Sequence, residues 1–325
     1  MPSIDQTNLA QMNAELEKLR TSFTFLKQLL MLSHLLESSP PAQSRGVSDI
    51  PTMRAQFVER ANALAESVPV DNSGLCIEDH QMRTRDGAKI TVRTYIPTHP
   101  REGGSPLIVM FHGGEFCVGG LENEERKCRS FCKELGMVAV NVNYRLAPET
   151  PISVPLRAVE FFLIRRYDGT KSPSSIRLQL MQIPRADPAR GSFVGGTSAG
   201  ANFAAVTSHL ARDENLSPPL TGVYLSVPAV LPPSVVPEKY KADYLSYEQL
   251  RNVPVLNRTT MDLFRNSYSA DPNSELFTPF LWPSGHSDLP PTYFQICGMD
   301  PLRDEGFLYD KVLREEAGVK TKVDV

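Results

Sequence analysis

The pentapeptide 196–200, of sequence GTSAG, constrains the fold of this chain more than any other stretch. An apolar segment, 191–195, precedes it, and a segment rich in small residues, 201–212, follows it. Glycines on either side of Ser198 permit a turn too tight for flanking side chains, and they let the next helix pack close to the strand. The pattern therefore predicts a strand–turn–helix unit that lifts the Ser198 hydroxyl above a sheet edge, beside the free N–H groups of a helix N-terminus.

Strand and helix patterns alternate on both sides of this unit. Residues 77–85 and 89–96 alternate apolar and polar side chains around Asp86-Gly87, which predicts a hairpin. Further along, helical patterns separate short apolar runs that are typical of buried parallel strands. The predicted helices are 122–135, 156–167 and 201–212, and the predicted strands are 106–111, 137–144, 192–197, 221–227, 292–298 and 320–325. This alternation predicts an α/β fold with a mostly parallel, doubly wound sheet.

Amphipathic patterns precede the first strand. Apolar residues recur every three to five positions over 1–38, and a second helical pattern covers 52–66. Because these helices come before any strand, they predict an N-terminal helical cap at 1–75, followed by an α/β core at 76–325. Residues 229–290, rich in proline and aromatic residues, predict loops and short helices above the sheet.

The composition argues against several classes of protein. A net charge of −3 without a long basic run argues against a nucleic-acid partner. The longest apolar run, 25–36, contains Lys27, Ser33 and His34 and is too short to span a bilayer. Five cysteines without paired metal spacing, and the lack of a signal-peptide pattern, predict a reduced, cytoplasmic protein. The sequence shows no metal, nucleotide or flavin motif, so we expect no cofactor. Whether the chain forms a homodimer is left open.

Two more motifs follow predicted strands. The stretch 112–116, of sequence HGGEF, comes after the strand at 106–111, and Asp300 follows the strand at 292–298. Backbone N–H groups of a glycine-rich loop, together with that of Ala199, can hold negative charge on a former carbonyl oxygen. A carboxylate such as Asp300 can orient a histidine and stabilise its imidazolium form. Taken singly, an ordinary Gly-Gly turn explains the first motif as well as an oxyanion loop does. A lone aspartate such as Asp300 more often belongs to a turn or a helix cap than to a catalytic site.

In combination, the motifs resemble those of the hormone-sensitive-lipase-like branch of the α/β-hydrolases, which includes bacterial and fungal carboxylesterases and acetyl hydrolases. Two stretches strengthen the resemblance, GGTSAG at 195–200 and NYRLAPE at 143–149, and it extends from about residue 77 to the last residue. It implies an α/β-hydrolase fold with N-terminal helices as a lid over an acyl pocket. It also implies hydrolysis of short-to-medium acyl or acetyl esters through an acyl-enzyme, with a small-molecule ester as partner and no cofactor or metal.

The roles of individual residues follow from the same resemblance. It implies that Ser198 is the nucleophile and that Asp300 is the acid of a catalytic triad. It also implies an oxyanion hole built from backbone N–H groups. The residues implied for that hole are Gly113, Gly114 and Ala199, with His112 and Glu115 as further members of the loop.

Two departures from the family pattern concern the chemistry. The triad order of this fold is serine, acid, histidine, and no histidine follows Asp300 among the 325 residues. His286 is the one conceivable substitute, and its position before the acid argues against it. A serine without its base loses roughly a millionfold in turnover, so the sequence predicts an impaired esterase, cut short at its C-terminal end. Glu115 stands where the family has a small residue, and its carboxylate would oppose a forming oxyanion unless it points away.

A second function is left open by the same departures. Plant gibberellin receptors resemble this branch, keep the serine, lack the histidine and trap a ligand under the lid. A catalytically inactive small-molecule-binding protein on the same fold is therefore the alternative hypothesis. In this chain the histidine is missing because the chain ends, not because another residue replaces it, which favours the impaired esterase.

Overall fold

The computed structural model describes residues 49–67, 71–84, 87–150, 183–253 and 256–325. The strands within these residues are β1 Leu75–Arg83, β2 Lys89–Pro97, β3 Leu107–Phe111, β4 Val138–Asn143, β5 Ser192–Thr197, β6 Gly222–Ser226, β7 Thr292–Gln295 and β8 Thr321–Asp324. They form one sheet in the order β1-β2-β4-β3-β5-β6-β7-β8. The pairs β1–β2 and β2–β4 are antiparallel, and the other neighbouring pairs are parallel. The predicted α/β fold with a mostly parallel, doubly wound sheet is confirmed.

The helices lie between the strands or precede them. They are α1 Ile50–Ser67, α2 Leu121–Leu135, α3 Ala199–Asp213, α4 Ser246–Gln249, α5 Arg258–Tyr268 and α6 Arg303–Lys311. Acidic residues in the first turn of α2 and a left-handed Gly136 after its last turn are the expected start and stop signals of a helix. Helix α6, which continues into a π-helical turn at Val312–Glu316, was not among the predicted elements.

The centre of the sheet is the core of the protein. All five residues of β3 are buried, as are the first five residues of β4, because helices cover both faces of these parallel strands. The observed strand ends differ from the predicted ones by at most three residues, and both ends of β5 match. The largest difference is in β7, which ends at Gln295 rather than at residue 298.

The described residues of the segment Val47–Val325 form one compact unit, and α1 belongs to it. The helical pattern predicted at 52–66 is therefore observed as part of this unit. The patterns predicted over 1–38 and 156–167 lie outside the described residues. Residues 229–290 contain α4, α5 and short 3₁₀ turns, as expected for that segment. No helix in the described part of the chain is both long and apolar enough to cross a membrane.

Candidate active site

Ser198 occupies the sharp turn between β5 and α3. Its backbone lies at φ 55° and ψ −117°, a conformation that residues with side chains rarely adopt. Its N–H donates to Ser226 O at 2.8 Å, and its C=O accepts from Asn202 N–H at 3.0 Å. These contacts hold Ser198 at the carboxyl edge of the sheet, at the N-terminus of α3.

Close packing of α3 against the end of β3 explains the glycine after the serine. A Cβ atom on Gly200 would lie 2.0 Å from Phe111 O and 2.6 Å from His112 O, which is closer than any Cβ approaches a backbone oxygen. Only glycine therefore fits at this position. The same close approach brings the loop that follows β3, residues 112–118, beside Ser198.

The 112–118 loop turns tightly around Gly114. This residue has φ 124°, and a Cβ atom on it would lie 2.0 Å from Val118 O. Its C=O accepts from Val118 N–H at 2.9 Å. No hydrogen bond to another described residue engages the N–H groups of Gly113 and Gly114. Ala199 is the first residue of α3, so its N–H also has no acceptor within the helix.

His112 braces the start of this loop. Its Nδ1 lies 2.8 Å from Gly113 O, and because a carbonyl oxygen only accepts, Nδ1 carries the proton. Its ring stacks on that of Tyr144 with centroids 4.0 Å apart, and Tyr144 OH donates to His112 O at 2.8 Å. Burial lowers the pKa of His112 to about 4, so the ring is neutral at physiological pH. The contacts of His112 are thus contacts with the loop backbone and with Tyr144.

A second anchor of the loop comes from α1. Arg54 Nε donates to Cys117 O at 2.7 Å, and its Nη2 donates to Ala147 O at 2.6 Å. The same guanidinium forms two bonds of 2.8 Å to the carboxylate of Glu149. These partners lie 63 to 95 positions away along the chain, so no local sequence signal could reveal the contact.

The side chain of Glu115 points toward Ser198 rather than away from it. Ser198 Oγ donates a hydrogen bond to Glu115 Oε1 at 3.3 Å. Burial, followed by the negative charge of Asp300, raises the pKa of Glu115 to about 7, against the lowering effects of the Ser198 bond and of Arg265. Both protonation states of Glu115 are therefore populated near neutral pH.

Asp300 lies in the loop after β7, as the sequence predicts for an acid of the site. Its Oδ1 accepts from Leu302 N–H at 2.8 Å. Burial raises the pKa of Asp300 to about 6, although the Leu302 bond acts in the opposite direction. The negative charge of Asp300 also raises the pKa of Glu115. The structure thus gathers Ser198, Glu115 and Asp300 at one edge of the sheet.

Histidine does not take part in this cluster within the described residues. His209 Nδ1 lies 2.8 Å from Ala205 O, and its Nε2 lies 2.9 Å from His286 Nδ1. The other nitrogen of His286 lies 3.1 Å from Phe280 O. His286, considered from the sequence as a substitute base, is thus engaged with these partners and does not contact Ser198.

A pocket that is open to solvent adjoins Glu115. The side chains of Arg265 and Glu305 there are already engaged: Arg265 donates to Tyr247 OH at 2.8 Å, and Glu305 accepts from the backbone N–H groups of residues 230 and 231. The remaining surface is largely apolar and aromatic. Its main members are Phe116, Met261, Phe264, Tyr268, Phe277 and Leu302.

Sequence reasoning missed these pocket residues, although a signal for some of them exists. Met261, Phe264 and Tyr268 recur at steps of three and four on α5, and all three are buried. That spacing identifies one apolar face of a helix, but it cannot reveal that the face lines a pocket beside Glu115.

Groups that could hold a metal ion are absent from the described residues, where no three histidine, cysteine, aspartate or glutamate side chains are suitably arranged. Cys117, Cys128 and Cys132 are buried free thiols, and Cys76 and Cys297 are exposed free thiols. The polar groups that the structure gathers at Ser198 are its own hydroxyl, the carboxyl of Glu115 and the backbone N–H groups of the 112–118 loop.

Comparison with known protein families finds a match over most of this chain. A sequence model of the alpha/beta hydrolase fold matches residues 108–325. An AB hydrolase superfamily protein of Schizosaccharomyces pombe is 35% identical over 285 residues, which cover 88% of this chain and 80% of that protein. The versiconal hemiacetal acetate esterase of Dothistroma septosporum is 31% identical over 223 residues, which cover 68% of this chain and 64% of the esterase.

Solved structures agree with this match. The crystal structure of vibralactone cyclase superposes with a TM-score of 0.74 at 29% sequence identity. The superposition covers 89% of this chain and 83% of the cyclase.

Proposed function

The chain belongs to the α/β-hydrolase fold family of esterase-type enzymes, and on that premise we propose that it is a serine carboxylic-ester hydrolase. Its substrates are short-to-medium acyl esters, acetyl esters among them, and the reaction proceeds through an acyl-enzyme on Ser198. The family alone does not specify the reaction, because one fold hosts many activities, so the proposal depends on the site.

The observation that carries the proposal is the backbone conformation of Ser198. A serine at φ 55° between a buried strand and a helix costs about 1–3 kcal/mol of strain, and such strain concentrates at functional sites. The conformation turns Ser198 Oγ away from the sheet and toward the side chain of Glu115, which lines the pocket. A merely structural serine would need no such turn.

The chemistry of acylation uses the groups around this serine. Ser198 Oγ attacks the ester carbonyl carbon, which becomes tetrahedral, and the carbonyl oxygen becomes an oxyanion. The N–H groups of Gly113, Gly114 and Ala199 are the donors we assign to this oxyanion. Each such donor contributes about 3–4 kcal/mol to the stability of the transition state. Collapse of the tetrahedral intermediate breaks the ester C–O bond and releases the alcohol, which leaves the acyl group on Ser198 Oγ. Water then hydrolyses this acyl-enzyme and releases the acid.

The pocket supports the choice of substrate class. Its apolar, aromatic lining suits a small uncharged acyl or alcohol group. The relative from Dothistroma septosporum is named for an acetate ester, which agrees with a short acyl group.

Other parts of the description remain proposals of the same rank. The N-terminal cap at 1–75, the α/β core at 76–325 and the cytoplasmic location are predictions from the sequence, which leaves a homodimer open. The binding of a small molecule without turnover is the competing function, supported by the lack of a described histidine at Ser198.

Hydrolysis of 4-nitrophenyl acetate, butyrate and octanoate tests the proposal. We expect turnover by the wild-type chain that falls by several orders of magnitude in Ser198→Ala. The matched control is Ser287→Ala, which changes an exposed serine and should retain wild-type turnover. A 4-nitrophenyl alkylphosphonate should label the wild type once, on Ser198. If the folded wild type binds these esters saturably but neither turns them over nor is labelled, the ligand-binding function replaces this proposal.

A further inference from the structure

The carboxyl of Glu115 can accept more hydrogen bonds than the described residues give it. Its Oε1 accepts from Ser198 Oγ at 3.3 Å, which is longer than the usual distance of about 2.7–2.8 Å between oxygens. No other described residue donates to this carboxyl, and an ionised carboxylate has acceptor sites for about four donors. The side chain is half-buried and lines the pocket, so a molecule in the pocket can reach it. Glu115 is therefore able to bind a donor group of a substrate.

The other charged side chains of the pocket are held by protein partners. Arg265 donates to Tyr247 OH at 2.8 Å, and Glu305 Oε2 accepts from two backbone N–H groups. Most of the remaining lining is apolar. Glu115 therefore combines closeness to the nucleophile with spare capacity to accept a hydrogen bond.

The backbone and the packing of the next residue fix the position of this acceptor. Glu115 and Phe116 have φ values of 49° and 62°, so the main chain itself directs the carboxyl toward Ser198. Phe116 is buried, and its ring stacks on Tyr268 with centroids 4.3 Å apart and meets Phe203 edge to face at 5.2 Å. An acceptor held in this way can distinguish substrates by where they carry a donor.

The chemistry of the pocket favours an uncharged donor. An ionised carboxylate only accepts hydrogen bonds, so a ketone or ether oxygen of a substrate cannot bind to it. An ammonium group would lose its hydration among the aromatic side chains, and it would share the pocket with the guanidinium of Arg265. A hydroxyl group donates one hydrogen bond and costs less to remove from water. The complementary group on a substrate is therefore a hydroxyl.

We propose that Glu115 is a specificity-determining residue that selects hydroxy esters, in which the second carbon from the ester group carries a hydroxyl. The hydroxyl must be this close because Glu115 Oε1 lies 3.3 Å from Ser198 Oγ, the atom that attacks the ester carbon. It belongs either to the alcohol part or to the acyl part of the ester. This inference rests on the proposed ester hydrolysis and names its substrate class. Glu115 binds the substrate in this role and takes no part in proton transfer.

The preference arises from the hydrogen bond that Glu115 gains or lacks. A hydroxy ester gives Glu115 a charge-assisted hydrogen bond. An ester with a methyl group in the same place excludes water from the carboxyl and leaves it without that bond. We expect kcat/KM for a hydroxy ester to exceed that for its methyl analogue at least about tenfold.

Two pairs of esters test the preference, because the members of each pair differ only by a hydroxyl in place of a methyl group. 2-Hydroxyethyl butyrate and propyl butyrate carry this group in the alcohol part, and ethyl 3-hydroxybutyrate and ethyl 3-methylbutyrate carry it in the acyl part. Acid release in a pH-stat gives kcat/KM for each ester, and the pair with the larger ratio identifies the part that Glu115 binds. A charged donor is tested with 2-(dimethylamino)ethyl butyrate, which we expect to be a poorer substrate than 2-hydroxyethyl butyrate.

Variants at Glu115 separate a binding role from a structural one. Glu115→Leu replaces the acceptor with an apolar group of similar size, so we expect the methyl analogue to become the better substrate. Glu115→Gln keeps an uncharged acceptor and should retain a smaller preference for the hydroxy ester. A damaged fold would lower kcat/KM for both members of a pair and leave their ratio unchanged, and circular dichroism shows which variants fold. The matched control is Glu238→Gln, which changes an exposed carboxylate paired with Lys241 and should keep the wild-type ratio.

The pH dependence of the ratio supplies a second readout. Burial and the charge of Asp300 raise the pKa of Glu115 to about 7, whereas the Ser198 bond and Arg265 act in the opposite direction. The ionised carboxylate binds a hydroxyl more strongly than the neutral carboxyl does. The ratio within a pair should therefore rise between pH 6 and pH 8 in the wild type and stay constant in Glu115→Gln.

Binding measurements distinguish a failure of this inference from a failure of the proposed function. Calorimetry on Ser198→Ala measures the affinity for each ester without consuming it. If the wild type hydrolyses esters through Ser198 with equal kcat/KM within both pairs, or if Glu115→Leu keeps the preference, Glu115 does not select a hydroxyl and the proposed function stands. A higher kcat/KM for the ammonium ester would overturn the inference in the same way. If the wild type is inert, the proposed function fails. Equal affinities within both pairs would then overturn the inference as well, whereas tighter binding of a hydroxy ester that is lost in Glu115→Leu would support it.

Discussion

Two loops meet at Ser198, and they are held in different ways. The turn that contains the serine is fixed by backbone contacts: Gly200 lies against the end of β3, and Ser198 N–H bonds to Ser226 O. The 112–118 loop is held by side chains from distant elements, Tyr144 after β4 and Arg54 on α1. The turn can therefore adopt only one backbone conformation, whereas the conformation of the loop changes if a single side chain is replaced. The serine turn is therefore the more rigid of the two, and the position of the 112–118 loop depends on single side chains.

The largest effect on stability should come from a substitution in the turn that contains Ser198. Gly200→Ala places a methyl group 2.0 Å from Phe111 O, so either α3 or β3 must move, and we expect a loss of more than about 3 kcal/mol in the free energy of unfolding. Gly298→Ala is the matched control, because a Cβ atom there meets nothing within 4 Å. Chemical denaturation of both variants checks the prediction. Equal stabilities would show that the close packing of α3 is not a constraint.

Removing the anchor of the loop should have the next largest effect. Arg54→Met deletes four charge-assisted hydrogen bonds and leaves Cys117 O without its partner, so we expect a loss of about 2–3 kcal/mol in stability. Ester hydrolysis should fall as well, because the loop donors shift. Lys241→Met, which removes an exposed ion pair, should stay within about 0.5 kcal/mol of the wild type. If both variants behave alike, α1 does not position the loop.

The third prediction concerns the stability that is lost because the carboxyl of Glu115 is buried in the 112–118 loop. The pKa of Glu115 in the folded protein, about 7, lies above its ordinary value of 4.5, so the folded state binds this proton more tightly than the unfolded state does. Stability is therefore full below about pH 4.5 and falls as the pH rises through about 7. Glu115→Gln cannot ionise, so it should be about 2–3 kcal/mol more stable than the wild type at pH 8 and no more stable at pH 4. Urea denaturation at pH 4, 6 and 8 measures this gap, and a gap independent of pH would contradict it.

The smallest effect should come from one buried hydroxyl. Tyr144→Phe removes the bond to His112 O at 2.8 Å and should cost about 1 kcal/mol. Tyr268→Phe is the matched control, because the buried Tyr268 hydroxyl has no hydrogen-bond partner within the described residues. That variant should be neutral or slightly stabilising in thermal denaturation. The reverse order would show that Tyr144 does not support the loop.

The same division explains what the sequence could predict. The unit β5–Ser198–α3 follows from local patterns, since a glycine that must touch a neighbouring backbone and an apolar strand are both readable in a short window. The strand alternation likewise predicts the fold class without any knowledge of packing. The position of Asp300 after β7 follows from the same alternation.

The direction of Glu115 could not be predicted in this way. It depends on two consecutive residues with positive φ and on the ring of Phe116, which packs against residues about 90 and 150 positions away. From residue types alone, a carboxylate in this loop is expected to oppose a forming oxyanion. The sequence does not show that the carboxyl of Glu115 accepts a hydrogen bond from Ser198 or that burial raises its pKa. The anchor from Arg54 and the apolar face of α5 are hidden for the same reason: each is defined by its partner in space.

The contact of Gly200 with the carbonyl groups of Phe111 and His112 has a consequence for how such a site can diversify. Because the turn and the loop touch through backbone atoms, neither main chain can drift without displacing the other. New substrate preferences must then arise by exchanging side chains on a fixed frame, at positions such as 115 and along α5. A library of variants confined to those positions should keep the backbone contact and vary the activity. Insertions into either loop should disrupt the contact and abolish the activity.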